Sequence, residues 1–113
     1  MHELSIALSI VELAEEEMNT RGGIVQAVHL KIGKLSGVLP AALRSSFELA
    51  SERTALAGSK LLIEEVPVIA YCAKCAAPRQ VSPVDWFVCP ECRAPMEQVL
   101  QGKELQVVAL EFQ

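Results

Sequence analysis

Two short segments decide the fold of this 113-residue chain: Cys72-Ala-Lys-Cys75 and Cys89-Pro-Glu-Cys92. They hold all four of its cysteines, and thirteen residues lie between them. Two residues between a pair of cysteines allow a tight turn that directs both sulfurs at one ion, and two such turns supply four soft thiolates. The spacing therefore predicts one structural Zn(II) site with four cysteine ligands. Because such a site keeps no open position for water, we do not expect catalysis there.

The same cysteines allow two other interpretations. A pair of disulfides would suit a secreted protein, but the start Met1-His2-Glu3-Leu4 is acidic where a signal peptide would be basic. A thioredoxin-like redox centre needs a single Cys-x-x-Cys pair, whereas two pairs occur here in one short stretch. A thiol oxidoreductase is therefore the less favoured alternative.

Charge and hydropathy narrow the class of protein. Ten basic and 14 acidic residues give a formal net charge of −4, so no general attraction to nucleic acid is expected. No apolar run approaches the roughly 18 to 20 residues that span a bilayer. These observations predict a soluble, cytoplasmic chain that does not associate with membranes.

The remaining sequence predicts five regular elements. Apolar residues recur every three or four positions from Leu4 to Met18, which indicates a helix that Gly22-Gly23 would end. The apolar positions of that helix are Leu4, Ala7, Leu8, Val11, Ala14 and Met18. Alternation and composition then predict a strand at 25–32, a helix at 40–53 that begins at Pro40, and strands at 60–69 and 105–112.

This order places the cysteine segments between two strands of one sheet. We therefore predict an α+β fold: two helices packed on a small three-stranded mixed sheet, with a four-cysteine zinc-ribbon module inserted before the last strand. The predicted domains are 1–70 plus 104–113, and 71–103 for the module. Tyr71, Trp86 and Phe87 would form the small core of the ribbon.

A second candidate metal site lies at the start of the chain. The terminal amine of Met1, the backbone nitrogen of His2 and the imidazole of His2 can close two chelate rings around one ion, and planar nitrogen ligands favour Ni(II) or Cu(II). Glu3 can supply a fourth ligand. Alternatively, His2 and Glu3 merely begin a surface helix, where Glu3 complements the helix dipole. His29 falls on the less apolar face of its strand, and we expect it to be a surface residue rather than a ligand.

Three sequence features together resemble the HypA/HybF family of nickel-insertion accessory proteins. They are the start Met1-His2-Glu3-Leu4-Ser5, the stretch Lys31-Ile-Gly-Lys-Leu-Ser-Gly-Val38, and the two cysteine pairs. Each feature is weak alone, but their order and spacing cover essentially the whole chain. The resemblance changes the balance of the two interpretations of His2 in favour of a nickel ligand.

The resemblance implies a nickel metallochaperone rather than an enzyme. It implies transported Ni(II) at Met1, His2 and Glu3, and structural Zn(II) at Cys72, Cys75, Cys89 and Cys92. It further implies work with a HypB-type GTPase and delivery to the large subunit of [NiFe] hydrogenase, with urease and its accessory proteins as partners in some organisms. The exposed last strand is compatible with a monomer or with a weak, strand-exchanged dimer.

The chain departs from the family at one point in each cysteine segment. Relatives often carry glycine directly after the second cysteine, where this chain has Ala76 and Arg93. Glycine tolerates the positive φ that such turns commonly use. We therefore expect either a different turn or backbone strain of roughly 1 to 3 kcal/mol.

The chief alternative function is a zinc-ribbon module that binds nucleic acid or serves transcription. Between residues 70 and 104 the bases are Lys74, Arg79, Arg93 and Lys103, and the acids are Asp85, Glu91, Glu97 and Glu104. Four charges of each sign leave no net positive charge to neutralise phosphates. Charge therefore favours the metallochaperone.

Overall fold

The computed structural model of the protein describes residues 2–82 and 87–113. Its elements, in chain order, are α1 (Glu3–Arg21), β1 (Val25–Gly33), α2 (Pro40–Ser51), β2 (Lys60–Val66), β3 (Ile69–Cys72), β4 (Ala77–Gln80), β5 (Gln98–Gln101) and β6 (Leu105–Phe112). One sheet has the strand order β2-β1-β6, and a second has the order β4-β3-β5. The predicted α+β class, with a cysteine module inserted before the last strand, is confirmed.

The chain divides into two compact units. The first comprises Met1–Lys31, Gly37–Glu64 and Gln106–Gln113, and the second comprises Ile32–Ser36 and Glu65–Leu105. The first unit therefore holds both helices, and the second holds the β4-β3-β5 sheet and all four cysteines. The functional division into 1–70 plus 104–113 and 71–103 stays a prediction.

Helix α1 ends where the sequence predicts. Gly22 adopts a positive φ of 76°, and its N–H donates to the carbonyl of Met18 at 2.8 Å, which satisfies one of the last helical carbonyls. The predicted buried face is partly wrong, because Leu4 and Leu8 are 44% and 48% exposed. The buried residues are Ala7, Ile10, Val11, Ala14 and Met18. The helix thus turns the side that carries Ile10 inward, and the periodicity alone allowed either side.

The predicted strand at 60–69 is in fact two strands in two different sheets. β2 ends at Val66, and β3 begins at Ile69. Pro67 lies between them, and since it has no N–H to donate to a strand ladder, it interrupts the pairing. Its carbonyl instead accepts a hydrogen bond from Nε2 of Gln101 at 3.0 Å.

The second unit contains a backbone crossing that only glycine permits. The N–H of Gly33 donates to the carbonyl of Glu104 at 2.8 Å, and the N–H of Leu35 donates to the carbonyl of Gly102 at 2.7 Å. A Cβ atom at Gly33 would overlap the Gly102 carbonyl group. The stretch that resembles the nickel-insertion family therefore includes a glycine whose place is fixed by close packing of two backbones.

Candidate metal centre

The four cysteines form one cluster in the second unit. All four sulfurs lie within 4.8 Å of one another, and the thiols form no disulfide. The Sγ atoms of Cys72 and Cys92 are 3.5 Å apart, and those of Cys75 and Cys89 are 4.0 Å apart. Four sulfurs about 2.3 Å from a tetrahedral zinc ion would be about 3.8 Å from each other. The donor set and its spacing therefore fit a four-coordinate thiolate metal site.

The first cysteine turn joins β3 to β4. Cys72 ends β3, and its sulfur accepts a hydrogen bond from the N–H of Cys75 at 3.3 Å. Ala76 follows with φ 54°, in the left-handed region that glycine prefers. The turn is thus the one that glycine would favour, and alanine adopts it at the cost of local strain.

The second cysteine turn has the same backbone feature. The N–H of Arg93 donates to the carbonyl of Cys89 at 2.9 Å, and the N–H of Cys89 donates to the carbonyl of Ala94 at 2.8 Å. Arg93 has φ 65°. The sequence left two outcomes open, a different turn or a strained one. Both turns have a non-glycine residue with positive φ, so the strained turn is the one observed.

Backbone donors and burial set different proton affinities for two of the cysteines. Hydrogen bonds from the backbone of Cys92 and Glu91 lower the pKa of the Cys89 thiol to about 6, although burial opposes them. The backbone N–H of Ala94 lowers the pKa of Cys92, but burial and the three other thiols outweigh it and raise that pKa to about 11. Cys89 is therefore the more acidic of these two thiols, and a metal that binds both must displace the proton of Cys92.

Among the described residues, aliphatic side chains rather than aromatic ones form the buried core around the sulfurs. The buried members of this cluster are Val68, Ala70, Cys72, Val81, Cys89 and Met96. The predicted aromatic core is wrong for Phe87, which is 58% exposed, while Tyr71 is half-buried and Trp86 lies outside the described residues. Cys72 and Cys89 are fully buried, so the aliphatic shell keeps water from two of the four sulfurs.

The predicted nickel ligands lie at the start of α1. His2 is exposed, precedes the helix with φ −98° and ψ 88°, and makes no capping hydrogen bond through its side chain. Its carbonyl accepts a hydrogen bond from the N–H of Ile6 at 3.2 Å, and Glu3 is the first helical residue. Met1 lies outside the described residues. The nickel ligand set at Met1, His2 and Glu3 therefore stays a prediction.

The other histidine has a protein partner. Nε2 of His29, on β1, lies 3.0 Å from Oε1 of Glu111, on the neighbouring strand β6, and both side chains are partly exposed. No group of three or more His, Cys, Asp or Glu other than the four cysteines meets at one point within residues 2–82 and 87–113. This placement agrees with the expectation that His29 is a surface residue.

Comparison with known proteins assigns the chain to a family. A family model described as "Hydrogenase/urease nickel incorporation, metallochaperone, hypA" matches residues 1–112. The chain is 48% identical over 112 residues to a hydrogenase maturation factor HypA of Chloroflexus aurantiacus, covering 98% of each chain. It is 45% identical to that of a Roseiflexus species, covering 100% of this chain and 93% of the relative.

A solved structure has the same fold. The solution structure of the Ni metallochaperone HypA from Helicobacter pylori superposes with a TM-score of 0.65 at 26% identity, covering 99% of this chain and 97% of that one. Neither helix in the described ranges is both long and apolar enough to cross a bilayer.

A two-helix α+β chain with a four-cysteine metal site, similar along its whole length to such proteins, is a metallochaperone of the hydrogenase maturation class and not an enzyme. The chain belongs to the HypA family of hydrogenase and urease nickel incorporation.

Proposed function

We propose that the chain binds Ni(II) at its amino terminus and delivers it to the large subunit of [NiFe] hydrogenase. The observation that carries this proposal is the open start of α1. The first amide groups of a helix have no partner within it, so the backbone nitrogens of His2 and Glu3 are available to a metal. The imidazole of His2 is exposed and is not used as a cap.

The chemistry at this end suits a metal that must be released. The Met1 amine, the His2 amide nitrogen and the His2 imidazole would give planar nitrogen coordination, with Glu3 as the fourth ligand. Since the amide must lose its proton, nickel affinity should fall as pH falls. These ligands belong to three consecutive residues, so they can pass the ion to a partner without unfolding of either compact unit.

We propose that Cys72, Cys75, Cys89 and Cys92 hold a structural Zn(II). Four thiolate ligands leave no open coordination position. The two cysteine turns and their aliphatic shell surround the position of the ion, which would hold them together. The zinc would supply cross-linking of two loops and no reaction step.

The partners follow from the family and remain part of the proposal. We expect a HypB-type GTPase to receive or release the nickel, and we expect urease accessory proteins to be further partners where urease is present. The four free cysteines suit a reducing compartment, which supports action in the cytoplasm. We expect a monomer, or a weak dimer that exchanges a strand.

Calorimetric nickel titration of an untagged, zinc-loaded chain tests the terminal site. We expect His2→Ala, and separately an added Gly-Ser before Met1, to weaken nickel binding at least tenfold, because each removes or displaces a ligand. His29→Ala is the matched control, since it deletes the only other histidine, and should bind nickel like the wild type. Equal nickel affinity in all four proteins would exclude the terminal site, and intact mass would verify that Met1 is retained.

A further inference from the structure

Arg79 lies on the same face of the small sheet as the cysteine cluster. In the antiparallel pairing of β3 and β4, Cys72 is opposite Ala77 and Ala70 is opposite Arg79. Directly paired residues of two antiparallel strands point to the same side of the sheet, and alternate residues of one strand share that side. Cys72 and Ala70 both belong to the buried cluster, so the partly buried Arg79 lies on the face of the sheet that carries this cluster.

The side chain of Arg79 lies near two sulfurs of the cluster. The guanidinium interacts with the side chain of Cys75 and also with that of Cys89. Its Nε is buried and finds no hydrogen-bond partner among the described residues. No carboxylate within 2–82 and 87–113 forms an ion pair with it. The guanidinium is therefore placed to donate to the cluster itself.

The two sulfurs that Arg79 reaches come from different turns. Cys75 belongs to the first turn and Cys89 to the second, and their sulfurs are 4.0 Å apart. A divalent metal with four thiolates carries a net charge of −2, which is unfavourable in an aliphatic shell unless a cation or N–H donors face it. One guanidinium can donate to both sulfurs at once because its N–H groups form a planar fork.

We propose that Arg79 is a positioning residue of the four-cysteine zinc site, donating N–H···S hydrogen bonds that join the two cysteine turns and offset part of their charge. This inference rests on the proposed zinc ligation. It assigns a role to a residue outside both Cys-x-x-Cys segments. The side chain acts on the ligands and does not contact the metal.

Release of zinc to an excess of a chromophoric chelator, at fixed pH and ionic strength, tests this proposal on the full zinc-loaded chain. We expect R79A to release zinc about tenfold faster than the wild type, as is usual when a group that orients metal ligands is lost. R79K keeps the charge but not the planar fork, and should fall between the two. The matched control is K74A, which removes an exposed cation from within the first cysteine turn and should change the rate less than twofold.

A spectroscopic measurement separates positioning from a merely structural effect. In Co(II)-substituted protein, loss of N–H donors to sulfur should shift the thiolate-to-cobalt charge-transfer band of R79A to lower energy, and R79K should restore part of the shift. Wild-type release rates and spectra in both R79A and R79K would overturn the proposal, as would an equal effect of K74A. If R79A fails to fold, R79K decides. Failure of the zinc assignment itself would be distinct, because the wild type would then hold no zinc that C72S removes.

Discussion

The cysteine cluster and the start of α1 are built in opposite ways. At the cluster, two turns, an aliphatic shell and a small sheet fix four sulfurs within 4.8 Å of each other, with two of them fully buried. At the helix start, His2 is exposed, and its side chain makes no capping bond. The first region fixes its four sulfurs through several independent contacts, whereas the second leaves the proposed ligand side chain accessible.

This difference bears on what each metal can do. A closed, buried thiolate site holds its ion for the lifetime of the fold, because release requires the surrounding core to open. An exposed chelate at a chain end can exchange its ion with a partner that offers better ligands. We therefore interpret the protein as a stable zinc-dependent unit joined to a unit that transports nickel.

Removal of the zinc site should give the largest effect and tests whether the two regions are independent. We expect Cys72→Ser to lose zinc and to unfold the β4-β3-β5 sheet, because binding of a structural zinc contributes on the order of 10 kcal/mol to folding. Helices α1 and α2 belong to the other unit and should persist. Zinc content by elemental analysis, together with far-ultraviolet circular dichroism, checks both statements.

The control for this change is Lys74→Ala, at an exposed position of the same turn. It should keep one zinc per chain and the wild-type spectrum. Complete loss of helical signal in Cys72→Ser would show that the comparison is wrong and that the first unit needs the second in order to fold.

A smaller effect should come from Gly33, which tests whether backbone packing as well as metal fixes the second unit. Alanine there would overlap the Gly102 carbonyl group, so we expect Gly33→Ala to lower the free energy of unfolding by about 3 kcal/mol even with zinc bound. The control is Gly58→Ala, where φ is 84° but no atom lies within 4 Å, and backbone strain alone should cost about 1 kcal/mol. Urea denaturation of the zinc-loaded proteins measures the free energy of unfolding of both variants. Equal losses would show that the backbones at Gly33 and Gly102 move apart without cost.

Most of the fold was predictable because particular residues mark where its helices begin and end. Gly22 ends α1 and Pro40 begins α2, as glycine and proline do at helix termini. The strand at 60–69 was wrong because an aliphatic run hid the break at Pro67. The strand Ala77–Gln80 was not predicted at all, since its residues have low strand propensity and form a strand by pairing with β3.

The candidate sites were predictable only where spacing carries chemistry. Two Cys-x-x-Cys pairs imply a shared ion before any fold is known. Arg79 was missed because its relation to the sulfurs depends on the β3–β4 register, and an arginine four residues after a cysteine carries no signal of its own. The close approach at Gly33 likewise depends on residues about 70 positions further along the chain.

The smallest expected effect concerns the backbone strain in the first cysteine turn. Ala76 holds φ at 54°, so Ala76→Gly should relieve left-handed strain and raise the free energy of unfolding by up to about 1 kcal/mol in the zinc-loaded protein. The control is Ala73→Gly, three residues earlier in the same turn. Ala73 does not have a positive φ, so this change should instead destabilise the protein by about 0.5 kcal/mol through the greater freedom of the unfolded chain. Opposite signs in urea denaturation would locate the strain at the position after the second cysteine, and two losses of stability would show that the turn holds Ala76 without strain. Nickel affinity should be the same in both variants, because both changes lie in the unit that holds the four cysteines and not in the unit with the proposed nickel site.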